Sequence, residues 1–244
     1  MSKKRPKLEA VRIVRAKGGG PLRTIVAAVV GKPTGNFNSL KAGRTFGWES
    51  IAERQFMWIC EVRWEVRNYL AQPFRFEFLM SDGSILQYLP DFELSLEGGE
   101  IEIVEIKKTK RDLKRDPFYR FKLWLARSVC RLRGWKFRVV VAEKKFAEGH
   151  ALANAQQIRM DRFTAVTAED YLRLGEAARR CGAKMTWGDA VAALSRTDDP
   201  WSPNGAARLR ALIVRRHVRV DIDLRITQQT PVTLTENAAI QTAK

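Results

Sequence analysis

Cysteine and histidine are scarce, with 3 Cys and 2 His in 244 residues. Cys60, Cys130 and Cys181 lie far apart and are odd in number. That excludes a disulfide framework and a cysteine-based zinc cluster, and favours a reduced, cytosolic chain whose cysteines are buried in or near helices. His150 and His217 lack metal-ligand spacing and read as structural or surface residues. No run of eighteen apolar residues occurs, which excludes a helical membrane span of ordinary length. The start, Met1-Ser2-Lys3-Lys4-Arg5-Pro6-Lys7, is basic but leads into no apolar segment, so it does not read as a secretory signal. There is no Gly-x-x-x-x-Gly-Lys-Ser/Thr loop to support an ATPase role, and no internal repeat. Acidic residues are in deficit, 27 against 44 Lys and Arg, for a net charge of +17. With 45% hydrophobic residues the chain can still bury a core. The excess positive charge calls for a polyanion, nucleic acid first.

The charge is unevenly spread. Residues 1–44 carry net +10, residues 45–106 net −8, residues 107–138 net +11 and residues 139–244 net +4. An acidic block between two basic ones suits a site where carboxylates hold cations beside a phosphate-binding surface. The competing reading is acidic side chains decorating solvent faces.

Residues 1–45 read as a basic arm, in which only Thr24–Val30 has strand character. Residues 49–64 have helical spacing, with Ala52, Phe56, Ile59 and Cys60 on one stripe and Glu49 and Glu53 sharing a face. Phe74–Met80 alternates as a strand and ends in the turn Ser81-Asp82-Gly83-Ser84. Ile85–Leu94 reads as the returning strand. Ile101–Lys107, after Gly98-Gly99, reads as the third strand of a meander. A basic loop, Lys107–Asp116, follows. Pro117 opens a helix over Phe118–Arg133, with Phe121, Leu125, Val129 and Leu132 as its stripe, and Gly134 ends it. Phe137–Ala142 reads as a strand parallel to the third, reached by a crossover. The sum is an α/β domain with a mixed sheet. After an Ala/Gln-rich stretch without strand character (148–165), three helices are expected at Ala168–Arg180, Thr186–Ser195 and Pro203–Arg215. Thr186 to Asp189 and Ser202 to Gly205 are their cap-like starts. A short strand, His217–Ile222, closes a small winged-helix-like bundle over 164–222. Residues 223–244 read as a flexible tail.

The chemistry gathers in two short stretches, Tyr88-Leu89-Pro90-Asp91 and Val104-Glu105-Ile106-Lys107. On a strand, Glu105 and Lys107 point to one side, and Asp91 on a neighbouring strand can join them. Two carboxylates can hold a hard divalent cation, and the lysine can orient or help deprotonate water or offset charge on a phosphate. Glu53 or Glu49 from the first helix could complete the cation site. Either stretch alone is an ordinary pattern; their order, spacing and strand placement agree.

Asp91…Glu105-Ile106-Lys107 resembles the PD-(D/E)xK signature of the restriction-endonuclease-like nucleases. Within that superfamily residues 48–107 resemble TnsA, the endonuclease subunit of heteromeric cut-and-paste transposases. The features are Trp48-Glu49-Ser50-Ile51-Ala52-Glu53-Arg54, Gln72-Pro73, Tyr88-Leu89-Pro90-Asp91-Phe92 and Val104-Glu105-Ile106-Lys107. The resemblance covers about residues 45–145 well. It implies a nuclease domain over 46–148, with a mixed sheet flanked by helices, and Mg²⁺-dependent hydrolysis of DNA phosphodiesters, Mn²⁺ substituting. It implies cutting at the 5′ ends of a transposon beside a DDE transposase. An AAA+ ATPase regulator would be met through the C-terminal domain or tail, in a bacterial-type cytoplasm near the nucleoid. Asp91 and Glu105 would bind metal and Lys107 would position or activate water. Glu53, the second acid of the helix motif, is favoured over Glu49 as a further ligand. Gln72 is expected to order the sheet entrance. The alternatives are another PD-(D/E)xK nuclease, acting in restriction, phage defence or junction resolution, and a DNA-binding adaptor on a nuclease-like fold.

Lys108, Lys110, Arg111, Lys114 and Arg115 are the expected phosphate contacts. Lys3, Lys4 and Arg5 could track DNA or belong to a free arm. Trp58, Trp64, Trp124 and Trp135 are expected in the packing rather than as base-stacking platforms, and Trp187 and Trp201 as anchors of the second domain.

Overall fold

A computed structural model describes residues 6–23, 33–114, 116–196 and 204–235. The strand expected at Thr24–Val30, the basic residues Lys3, Lys4, Arg5 and Arg115, Trp201, the Ser202 cap and residues 236–244 lie outside the described residues. The fold is mixed α/β, and the chain divides into two compact units. The first takes residues 1–38, 44–54 and 66–147; the second takes 39–43, 55–65 and 148–244.

The supposed arm contains β1 (Leu8–Arg15), and the chain continues through β2 (Gly35–Ser39) and β3 (Arg44–Trp48), which pair with each other. Helix α1 (Ile51–Val62) begins in the first unit. Then follow β4 (Val66–Ala71), β5 (Phe74–Met80), β6 (Ile85–Tyr88), β7 (Phe92–Leu96) and β8 (Ile101–Lys107). Helices α2 (Lys110–Lys114) and α3 (Pro117–Leu132) lead to β9 (Lys136–Val141) and the short α4 (Ala142–Lys145).

The expected meander is two sheets. One has the order β1-β5-β6 and the other β4-β7-β8-β9. The run Ile85–Leu94 therefore breaks in the middle, and its halves pair in different sheets. Pro90 stands at the break, where a residue without an N–H costs no ladder bond. Strands β8 and β9 are parallel, with Glu105 opposite Val139 and Lys107 opposite Val141, as the crossover reading expects. The expected loop after Lys107 holds α2, started by a reciprocal cap between Thr109 and Asp112. Asp116 accepts from the N–H of Phe118 at 2.8 Å and caps α3.

One apolar core joins β5, β6, β8 and α3. Phe74, Phe76, Phe78 and Met80 alternate along β5 into it, against Ile103, Leu123, Leu125, Ala126, Val129 and Cys130. The buried face of α3 is rotated from the expected stripe. Leu132 is 84% exposed and Trp124 is 61% exposed, so neither packs as expected. On the other face of β5, Glu77 accepts from Arg12 and Arg75, which ties β1 to β5 and lowers the carboxyl's pKa.

The second unit holds α5 (Ala151–Ile158), in the Ala/Gln-rich stretch that reads as having no strand, then α6 (Ala168–Cys181), α7 (Trp187–Leu194) and α8 (Gly205–Val214). Thr186 and Asp189 cap α7 as expected, and Asn204 caps α8. A Cβ added at Gly205 would stand 2.1 Å from the carbonyl oxygen of Val191, so α8 starts hard against α7. The expected tail contains β11 (Val232–Leu234), antiparallel to β10 (Val218–Val220). In the same unit Lys41 donates Nζ to the carbonyls of Cys60 and Arg63, both at 2.7 Å. Burial holds that amine down to about 7, although Glu61 opposes the fall. Trp58 and Trp187 are buried, and Cys60 and Cys130 are buried with Cys181 half-buried. His217 stands edge-on to Tyr171. Among the described residues no helix is long and apolar enough to cross a membrane.

Candidate active site

Asp91 sits at the point where the chain passes from one sheet to the other. Its Oδ2 accepts from the backbone N–H of Ile106 at 2.6 Å, which pins it to β8 between Glu105 and Lys107. Its carbonyl accepts from the N–H of Gln72 at 2.7 Å, and the carbonyl of Gln72 accepts from Leu22 at 2.8 Å. Gln72 has φ 47°, a left-handed conformation that costs a non-glycine residue about 1 kcal/mol or more. Gln72 thus orders the entrance between β4 and β5, as expected, and it does so by holding the Asp91 backbone. Its buried Oε1 has no hydrogen-bond partner.

Strand alternation brings Glu105 and Lys107 together, Nζ to Oε1 at 2.7 Å. Glu105 is 3% exposed, so its charge needs partners. Two tyrosines supply more, and neither role was read from the sequence. Tyr88 donates its hydroxyl to Glu105 Oε2 at 2.6 Å, and Tyr119 donates to Oε1. Tyr88 stacks its ring on Phe76 in the core and turns only its hydroxyl to the carboxylate. The ring of Tyr119 lies under Lys107, with Nζ 4.6 Å from its centroid. Tyr88 carried a usable signal three residues before Asp91. Tyr119 lies on the side of α3 that the expected stripe left facing solvent.

Like charges crowd this site. Burial, then the neighbouring Glu105, raises the pKa of Asp91 well above the carboxylate range, although the Ile106 N–H opposes the rise. Burial also raises Glu53, with Glu49 and Glu105 adding to it. Burial works against the charge on Lys107, but Glu105 more than offsets this, and its pKa ends raised. Lys107 is therefore an ammonium group at neutral pH. In that form it can orient water and offset phosphate charge.

The two helix acids are placed differently. Glu53 accepts from the Glu49 N–H and the Ser50 hydroxyl, both at 2.9 Å, while its own N–H donates to Ser50 at 3.2 Å. Both oxygens of Glu53 are therefore engaged at the start of α1. Glu49 pairs with Arg23 at 2.9 Å. Lys108, Lys110, Arg111 and Lys114 are exposed immediately after the site.

The oxygen donors fit a hard cation such as Mg²⁺ in kind, and the raised carboxyls of Asp91 and Glu53 are what a cation would relieve. Among the described residues no three acidic, His or Cys side chains stand together as an ion-binding group. Glu105 would have to release Lys107 or a tyrosine to join one. Compared with protein-family models and with curated proteins, the chain matches none.

The crowding has a measurable consequence. A carboxyl whose folded pKa is raised stabilises the fold below its unfolded pKa, and that stability is lost as pH rises through the folded value. Asp91→Asn keeps an oxygen for the Ile106 N–H and removes the charge. In chelator it is expected to melt about 2–4 °C above the parent at pH ~8, and level with it near pH ~4. A variant that melts at or below the parent at pH ~8 would contradict the crowding.

Proposed function

We propose that this chain is a Mg²⁺-dependent DNA endonuclease. The observation that carries the reading is the convergence of Asp91, Glu105 and Lys107 at the end of β8, with exposed Lys108, Lys110, Arg111 and Lys114 following directly. Asp91 and Glu105 would hold the ion through carboxylate oxygens. The ion, when bound, polarises the phosphate and lowers the pKa of water. Lys107 holds its proton, orients the attacking water and offsets charge developing on the phosphate. Tyr88 and Tyr119 keep Glu105 oriented. Glu53 is a positioning residue at the helix start; Glu49 is the less suited alternative because Arg23 already holds it.

The finer reading is a restriction-endonuclease-like domain of the TnsA kind, cutting 5′ transposon ends. Its support is the motif order from Glu49 to Lys107, together with a mixed sheet whose parallel pair β8–β9 is joined through α3. A DDE transposase, an AAA+ regulator and winged-helix character in the second unit belong to this proposal too. The test is a cleavage assay on labelled transposon-end DNA with Mg²⁺, with and without the neighbouring transposase. Cutting only with that partner supports the transposon reading, and cutting of any duplex without it supports a general nuclease. No cutting with Mg²⁺ or Mn²⁺ under either condition would overturn the enzyme reading.

A further inference from the structure

One face of α3 presents exposed aromatic and basic side chains outside the candidate active site. Pro117, Arg120, Phe121 and Trp124, spaced i, i+3, i+4 and i+7, line an open groove of about 470 Å³. Phe121 and Trp124 stack at 5.9 Å with their planes 11° apart, and Trp124 is 61% exposed. Further along the same face stand exposed Arg127 and Arg131. On the flank, Lys122 Nζ lies 5.2 Å from the centroid of Phe118, which is 51% exposed. Helix α3 carries no acidic residue, and the segment 107–138 has net +11. Tyr119, beside Arg120 on the same turn, reaches Glu105. The helix that bears this aromatic face therefore also borders Glu105 and Lys107 through Tyr119.

We propose that this face is a stacking platform for an unpaired base of the DNA substrate, with Trp124 carrying the base and Arg120 and Arg127 the flanking phosphates. The proposal rests on the nuclease reading and deepens it by naming a substrate with an unpaired or opened nucleotide beside the cut. An aromatic ring recognises the face of any base, and an unpaired base is free to leave the stack and offer that face. A protein partner would also cover an exposed tryptophan. The arginines at both ends and the lack of any acid along the helix favour a polyanion.

The test is equilibrium binding in chelator at fixed salt, using a labelled blunt duplex and the same duplex with a short single-stranded overhang. The parent is expected to prefer the overhang substrate about tenfold, Trp124→Ala to lose that preference, and Trp124→Phe to retain most of it. All three should bind the blunt duplex within about twofold of one another, because phosphate contacts are untouched. Melting curves check that the variants fold. A parent without the preference, or a Trp124→Ala variant that keeps it, overturns the proposal and leaves room for a protein on this face. The Mg²⁺ cleavage assay reads the nuclease proposal separately. Cutting without a Trp124-dependent preference sinks only the platform; a preference without cutting sinks only the nuclease.

Discussion

Lys107→Met and Asp91→Asn are each expected to reduce DNA cleavage on the order of 10²–10³-fold, about 2.7–4 kcal/mol of transition-state stabilisation. On the proposed reading the two serve one reacting centre, where Asp91 would offer a carboxylate to the cation and Lys107 a fixed positive charge to the phosphate. Removing both should therefore cost about as much as removing one, far less than the product of the two losses. Neither change should unfold the chain. Without Lys107 the buried Glu105 keeps its two tyrosine donors. Asn at 91 keeps an acceptor for Ile106 and sheds the charge that burial disfavours. Single-turnover cleavage with saturating Mg²⁺ measures the loss. Rates within about threefold of the parent in both variants, on protein shown to be folded, would remove these residues from the chemistry.

The parts of this site legible in the sequence are those set by local rules. Ile101–Lys107 is a strand with the expected ends because its alternation is strong and Gly98-Gly99 turns the chain before it. Helix α3 lies within one residue of expectation because Pro117 and Gly134 bracket it. Placing Glu105 and Lys107 on one side needed only the period of a strand. The break at Pro90 was not legible in the same way. Alternation through Ile85–Leu94 reports which face a side chain takes, but not which strand lies alongside, and the two halves found different sheets. Strand β1 was hidden for a similar reason, since its partner β5 lies some sixty residues away and its charges suggested an arm. The tyrosines were hidden by a rotation of α3. A stripe that ends on Leu132 turns Tyr119 outward, whereas Leu132 is exposed, Leu123, Ala126 and Cys130 are buried and Tyr119 turns to Glu105. Ser50-Ile51-Ala52-Glu53 shows how one acid can carry two readings. The motif offers Glu53 as a ligand, and its bonds to the Glu49 N–H and the Ser50 hydroxyl use the same carboxylate to start the helix.

Asp170→Ala is expected to cause the largest loss of stability, about 3–5 kcal/mol, within the second unit. Asp170 is 0% exposed and sits at the third position of α6. Its Oδ2 accepts from the Thr167 N–H at 2.8 Å and completes the capping box. Its Oδ1 pairs with Arg196 at 2.7 Å and faces Arg208 Nε at 3.6 Å. Arg208 is itself nearly buried and donates to the carbonyl of Leu194 at 3.0 Å. Alanine removes the cap, worth about 1 kcal/mol, and leaves the nearly buried Arg208 guanidinium without its carboxylate. Asp170→Asn should cost less, because the amide oxygen still serves the helix N-terminus while the charge is lost. Adding Arg208→Met to Asp170→Ala should recover part of the loss, since the stranded charge then goes too. Urea denaturation of the three variants measures the order. If Asp170→Ala and Asp170→Asn lose the same stability, the cap is irrelevant; if Arg208→Met restores nothing, the buried charge is not what Asp170 is holding.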